Sequence, residues 1–197
     1  MSMFRSICRV SVLLLAVGLL GVGASAQETI TGTVVSYGSG FNTRTQTGTF
    51  TLRLNRYTSE DRAQRLLGYL QSGAEDKLLN ELDNEDVGTF SINSRIGPRV
   101  NVARESVVNG QRRIIAVQRR WMNFGEVRGG YRSTDYPYSV IELYIDPRTG
   151  KGEGTYIAAA KIRWQPGNGG QNQIEIEDFS TFPARLMGVT VRGGMVR

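Results

Sequence analysis

Histidine is missing from this chain altogether, and its one cysteine, Cys8, lies in the N-terminal segment. From residue 27 onward there is neither. That excludes thiol nucleophiles, Ser–His and Cys–His dyads, zinc held by Cys or His, haem ligation through either residue, and a disulfide scaffold. Lysine is nearly as scarce: only Lys77, Lys151 and Lys161 occur, so arginine carries the positive charge. The 24 cations face 18 acids, and two of the cations, Arg5 and Arg9, fall in the N-terminal segment. The remaining charges are interspersed. No one-sided basic block marks a nucleic-acid binder, so no nucleic-acid partner is expected. After residue 26 no apolar run reaches the roughly 20 residues of a membrane-spanning helix.

What is there begins with an export signal. Arg5 and Arg9 form a positive region, residues 10–23 an apolar run broken only by Ser11, and Ala24-Ser25-Ala26 a small-residue cleavage site. Residues 1–26 are therefore expected to be a signal peptide, and residues 27–197 a single exported domain with no stable membrane span. Its expected location is periplasmic or extracellular. A chain of this size can bury about 70% of its unfolded surface, so it needs no disulfides.

The pattern along the chain is that of strands. Residues 29–37 are rich in Thr and Val, and Phe50, Leu52 and Leu54 alternate with polar residues. One helical stretch follows. Thr58-Ser59 offers N-cap oxygens, Glu60-Asp61 places acids in a first turn, and Ala63, Leu66, Leu67 and Leu70 share a face. Two short helices, 59–72 and 75–83, are expected, with Leu78, Leu79 and Leu82 continuing the apolar face as core. Strands return at 88–96, with Phe90, Ile92 and Ile96 inward. Asn109-Gly110 is a strong hairpin signal between strands 99–108 and 112–121. Further strands are expected at 139–145, 154–164, 173–179 and 184–192, the last with Met187, Val189 and Val191 on one face. The stretches Ile114–Val117 and Ile157–Ala160 are apolar or small on both faces, as in strands covered from both sides. The expected fold class is mainly β (α+β). It is an antiparallel meander of about 8–9 strands, curled or closed into a barrel, with the helix pair at 59–83 covering one end or face.

Motif by motif, chemistry is hard to find. Gly150-Lys151-Gly152-Glu153-Gly154 lacks the P-loop spacing and precedes a strand. It reads as a hairpin, or as glycines that admit a close backbone approach. Asp83, Glu85 and Asp86 lack the glycine and spacing of a calcium loop. A glycosidase-type pair drawn from Glu105, Glu126, Asp135, Glu142 and Glu153 is conceivable, but no spacing selects two of them. No cofactor and no metal are implied. The most unusual segment is 123–138, an irregular connection with many aromatics. Trp121, Phe124, Tyr131, Tyr136 and Tyr138 are its candidate stacking groups, Arg128 and Arg132 its anion contacts, and Asp135 an accompanying polar group. These eight residues form the expected contact surface. The expected function is non-enzymatic binding of a small molecule or cell-envelope component. The alternatives are a carboxylate-dependent hydrolase of envelope or extracellular glycan, and a purely structural envelope protein.

Several strings together resemble a pattern of a family of exported bacterial proteins of unknown function: Leu66-Leu67 through Ser72-Gly73, Leu78-Leu79, Asp86-Val87-Gly88, Asp135-Tyr136-Pro137-Tyr138, Ile141-Glu142-Leu143, Gly150 to Gly154 with Ala158-Ala159-Ala160-Lys161-Ile162, and Pro183 to Val189. The resemblance covers about residues 60–190. It implies export from a bacterial cell and carries no activity, cofactor or site residue.

Overall fold

A computed structural model describes residues 27–38, 44–122, 124–165, 173–179 and 183–193; the expected signal segment and the turn near 166–170 lie outside the described residues. Ten antiparallel strands form one sheet: β1 (Glu28–Ser36), β2 (Gln46–Leu54), β3 (Gly88–Ile92), β4 (Arg99–Val100), β5 (Val102–Val108), β6 (Gln111–Arg119), β7 (Tyr138–Ile145), β8 (Lys151–Gln165), β9 (Gln173–Asp178) and β10 (Ala184–Arg192). Helices α1 (Glu60–Gln71) and α2 (Glu75–Asp83) fill the gap between β2 and β3, and a short α3 (Phe124–Arg128) follows β6. The strand order is β4-β3-β2-β1-β10-β8-β7-β6-β5, with β9 paired to the far half of β8.

The two ends of that order are almost the same strand. Only Asn101 separates β4, paired with β3, from β5, paired with β6. One kinked strand therefore serves two neighbours, and the sheet curls into a nearly closed nine-strand barrel. Asn101 is buried at the seam, and its side chain is fully used. Its Nδ2 donates to the carbonyls of Leu82 (2.8 Å) and Glu85 (3.0 Å) at the end of α2, while its Oδ1 accepts from the Arg119 amide (2.6 Å). The same amide group thus ties the end of α2 and the residues that follow it to the barrel seam.

Alternation along the strands sorts two apolar cores. Ile30, Phe50, Leu52, Leu54, Phe90, Ile114, Ala116, Ile141, Leu143 and Leu186 point into the barrel, where the Phe90 ring packs 5.0 Å from Tyr156 and 5.8 Å from Phe50. Ile115, Val117, Tyr138, Val140 and Ile157 point outward and are covered by Leu66, Leu78 and Leu82 of the helices. The helix pair therefore covers one outer face. This is why Ile114–Val117 is apolar on both sides: one set faces the lumen, the other the helices.

Three local expectations are corrected. Strand β3 ends at Ile92, because Asn93 and Ser94 adopt positive φ (54° and 57°), and Ile96 beyond them is fully exposed. Gly188 adopts φ 58° in a bulge between Leu186 and Val189, which breaks the alternation, so Leu186 and Val189 are buried while Met187 is exposed. The Thr58 hydroxyl does not cap α1; it accepts from the Ala103 amide at 3.0 Å. At two glycine positions expectation and structure agree. Asn109 and Gly110 both have positive φ (50° and 76°) in a two-residue turn between β5 and β6. At Gly154, a side chain would collide with the Glu142 carbonyl across the ladder, so that glycine serves close approach.

One end of the lumen is polar. Glu28, 1% exposed, accepts both arms of the Arg112 guanidinium (2.5 and 2.8 Å) and the Tyr57 hydroxyl (2.8 Å). Arg112 also reaches Glu105 at 2.9 Å. Burial, and after it the Glu28 charge, pushes the Tyr57 hydroxyl far above the usual tyrosine range. The hydrogen bond to Glu28 raises Arg112 as well. This network ties β1 to β6 across 84 residues of chain.

Candidate functional site

The connection from β6 to β7 is held by one residue that follows the strand. The Arg120 amide donates to the Pro137 carbonyl at 2.8 Å. Its guanidinium donates to the Tyr136 carbonyl (2.9 Å), the Ser133 carbonyl (2.6 Å) and the Glu126 carboxylate (2.6 Å), and the Ser133 hydroxyl donates to the same carboxylate at 2.5 Å. Arg120 and Ser133 together hold the Glu126 carboxyl below the usual carboxylate range. The segment is thus clamped at four residues, Glu126, Ser133, Tyr136 and Pro137. It contains α3 and a 3₁₀ turn (Arg132–Asp135), where the sequence suggested no regular structure.

The clamp divides the expected contact residues into two sets. Trp121, Phe124 and Tyr131 are 79%, 75% and 62% exposed, and Val127 beside them 58%. Arg128 on the same short helix lies 5.9 Å from the Phe124 ring centre, within reach of a cation–π contact. Arg132 and Asp135 are exposed in the 3₁₀ turn. Tyr136 and Tyr138 are not part of this strip. Tyr136 is buried, its ring 5.0 Å from Phe179 and its hydroxyl donating to Glu177 on β9 at 2.5 Å, which raises its pKa. Tyr138, 1% exposed, lies beneath the helix pair, and its hydroxyl has no hydrogen-bond partner among the described residues.

Sequence reasoning missed Arg120, Ser133 and Glu177. The one available signal was the pair Arg119-Arg120 at a strand end, and nothing in spacing shows that Arg119 goes to Asp83 and Arg120 to Glu126. The carboxylates weighed for hydrolysis sit on different elements, four of the five against an arginine: Glu105 with Arg112, Glu126 with Arg120, Glu142 with Arg113 at 2.6 Å, and Glu153 near Arg185 at 3.8 Å. Asp135 alone of the five shows no ion pair among the described residues. Among the described residues no group of three or more His, Cys, Asp or Glu is placed to hold a metal ion, and no helix is long and apolar enough to cross a membrane.

Comparison of the chain with protein-family models, with curated proteins and with solved structures found no match, so the reading of its function rests on its own residues.

Proposed function

We propose that this protein is an exported, non-catalytic binding domain that docks on an anionic lipid surface of the cell envelope through Trp121, Phe124, Val127 and Tyr131. The observation that carries this reading is four large apolar side chains exposed within eleven residues on a segment that Arg120 holds in place. A strip of that kind marks an interaction surface. Trp and Tyr suit the water–lipid boundary, Phe and Val its apolar side, and Arg128 and Arg132 meet headgroup phosphates. A protein partner fits less well. Four side chains expose roughly 500 Å² at about 150–250 Å² per aromatic ring, short of the roughly 800 Å² per side that a stable protein interface buries.

The arginine-paired carboxylates support binding over hydrolysis. A general acid needs a proton retained near working pH, and an arginine neighbour works against that. Insertion of Phe124 and Val127 contributes about 3 kcal/mol, and two arginines near an anionic leaflet about 1 kcal/mol each. Docking is therefore reversible, with a dissociation constant on the order of 10⁻⁴ M. Cosedimentation with phosphatidylglycerol–phosphatidylethanolamine vesicles tests it. Binding should exceed that to phosphatidylcholine vesicles, weaken with salt, and disappear in the W121S/F124S double variant. Equal sedimentation of the native and variant proteins would overturn the reading.

A further inference from the structure

A second feature lies on the far side of the β6–β7 connection and does not involve the exposed strip. Strand β8 runs past the start of β7: Tyr138 pairs with Ala160, and beyond that point residues 161–165 pair with β9 and no longer with β7. The result is a two-strand ribbon standing off the barrel beside the end of α1. Between ribbon and helices lies a groove of about 350 Å³, at the small end of the roughly 300–1,000 Å³ range of ligand sites. Tyr69, Leu70, Leu78, Ile162 and Trp164 form its apolar walls, and Tyr138 its floor.

The floor carries the unexplained group. The Tyr138 hydroxyl is buried and unpaired among the described residues, while those of Tyr57, Tyr136 and Tyr144 all bond to carboxylates. A buried hydroxyl with no partner carries an uncompensated desolvation cost, and in a native structure it needs a reason. It also faces the field of Glu75, another lining residue, which together with burial pushes its pKa well above the usual tyrosine value. The hydroxyl is therefore a proton donor at all ordinary pH, in search of an acceptor. At the hydroxyl the Glu75 charge outweighs the opposing Arg119 charge, and of the two cations that also line the groove, Lys161 and Arg163, the latter is already paired with Glu177, so a neutral acceptor suits this point better than a second anion. Flat apolar walls that include an indole and a phenol ring select a flat apolar body.

We propose that this groove binds a small, flat, uncharged molecule whose carbonyl oxygen accepts a hydrogen bond from Tyr138. The inference is independent of the lipid-docking reading, since none of the strip residues lines the groove.

The test uses the purified protein and three probes of one shape: 2-acetylnaphthalene with a neutral carbonyl, 2-ethylnaphthalene without an acceptor, and 2-naphthoate with a charged one. Amide and indole shifts at Gly73, Leu78, Ile162 and Trp164 should report the ketone binding about tenfold more tightly than the hydrocarbon. Naphthoate should bind more weakly than the ketone. In Tyr138→Phe the preference of ketone over hydrocarbon should vanish while the hydrocarbon binds as before, which separates loss of the hydroxyl from loss of the fold. The proposal is overturned if no probe shifts these residues up to its solubility limit, if the shifts map elsewhere, if naphthoate binds as tightly as the ketone, or if Tyr138→Phe keeps the ketone preference.

Discussion

Replacing Tyr138 by Phe should make the free protein more stable, an unusual outcome for a buried core position. The ring of Tyr138 packs among Leu66, Leu78, Leu82 and Ala160, and Phe keeps that packing. What is removed is one oxygen, 1% exposed with its residue and unpaired among the described residues. An unsatisfied buried hydroxyl costs about 1–3 kcal/mol, so the substitution returns about 2 kcal/mol. For a chain of this length each kcal/mol moves the melting temperature by roughly 2–4 °C, which gives a rise of roughly 4–8 °C. Urea unfolding followed by far-ultraviolet circular dichroism should show a higher midpoint at unchanged slope, because the surface exposed on unfolding is the same. Tyr57→Phe is the internal contrast. Its hydroxyl donates to Glu28 and accepts from Arg112, bonds to charged groups worth about 1.5–3 kcal/mol, and its loss should lower the midpoint. If Tyr138→Phe lowered stability by more than about 0.5 kcal/mol, the hydroxyl would have a partner in solution, and the argument that it waits for a ligand would fail.

Two further outcomes follow from the polar end of the lumen and from the buried tyrosines. Glu28→Ala leaves the partly buried Arg112 charge with the Tyr57 hydroxyl and the half-exposed Glu105 beside it, and should cost about 3 kcal/mol in denaturant unfolding; a cost below about 1 kcal/mol would mean that the pair is solvated and structurally idle. Tyr57, Tyr138 and Tyr156 all have raised pKa values, through burial first in each case, so the fold favours their neutral form. Stability is then intact below about pH 10, where unfolded tyrosine begins to ionise, and falls as pH rises further, because the unfolded chain sheds protons that the fold retains. Unfolding midpoints flat from pH 8 to about 11.5 would contradict this.

Much of the barrel was legible because half-buried strands write their faces into the sequence. Phe50, Leu52 and Leu54, and Ile141, Leu143 and Ile145, alternate in the sequence and line the lumen as expected. Ile114–Val117 even announced cover on both sides. What failed were points where one residue changes the register. A left-handed Asn93-Ser94 turned Ile96 out of the sheet, and a bulge at Gly188 moved the buried position from Met187 to Leu186. Neither leaves a mark in hydropathy. The candidate site was legible as a segment only. Its aromatics were visible, but which face solvent and which are buried depends on Arg120 choosing Glu126 and on Tyr136 reaching Glu177 on a strand 41 residues away. Partner choice among many arginines and acids is a property of the fold, beyond the reach of spacing.

The pairing of β1 with β10 has a consequence for how this chain acquires its shape. Strand β1 gains β2 from a neighbouring hairpin, but its other edge waits for β10, where Thr31 and Thr190, 159 residues apart, share a hydrogen bond. The barrel cannot close at this seam before β10 has formed. Pairings this distant make folding slow and leave an exposed strand edge in the interval. A chain built in this way keeps one edge of β1 open until β10 arrives.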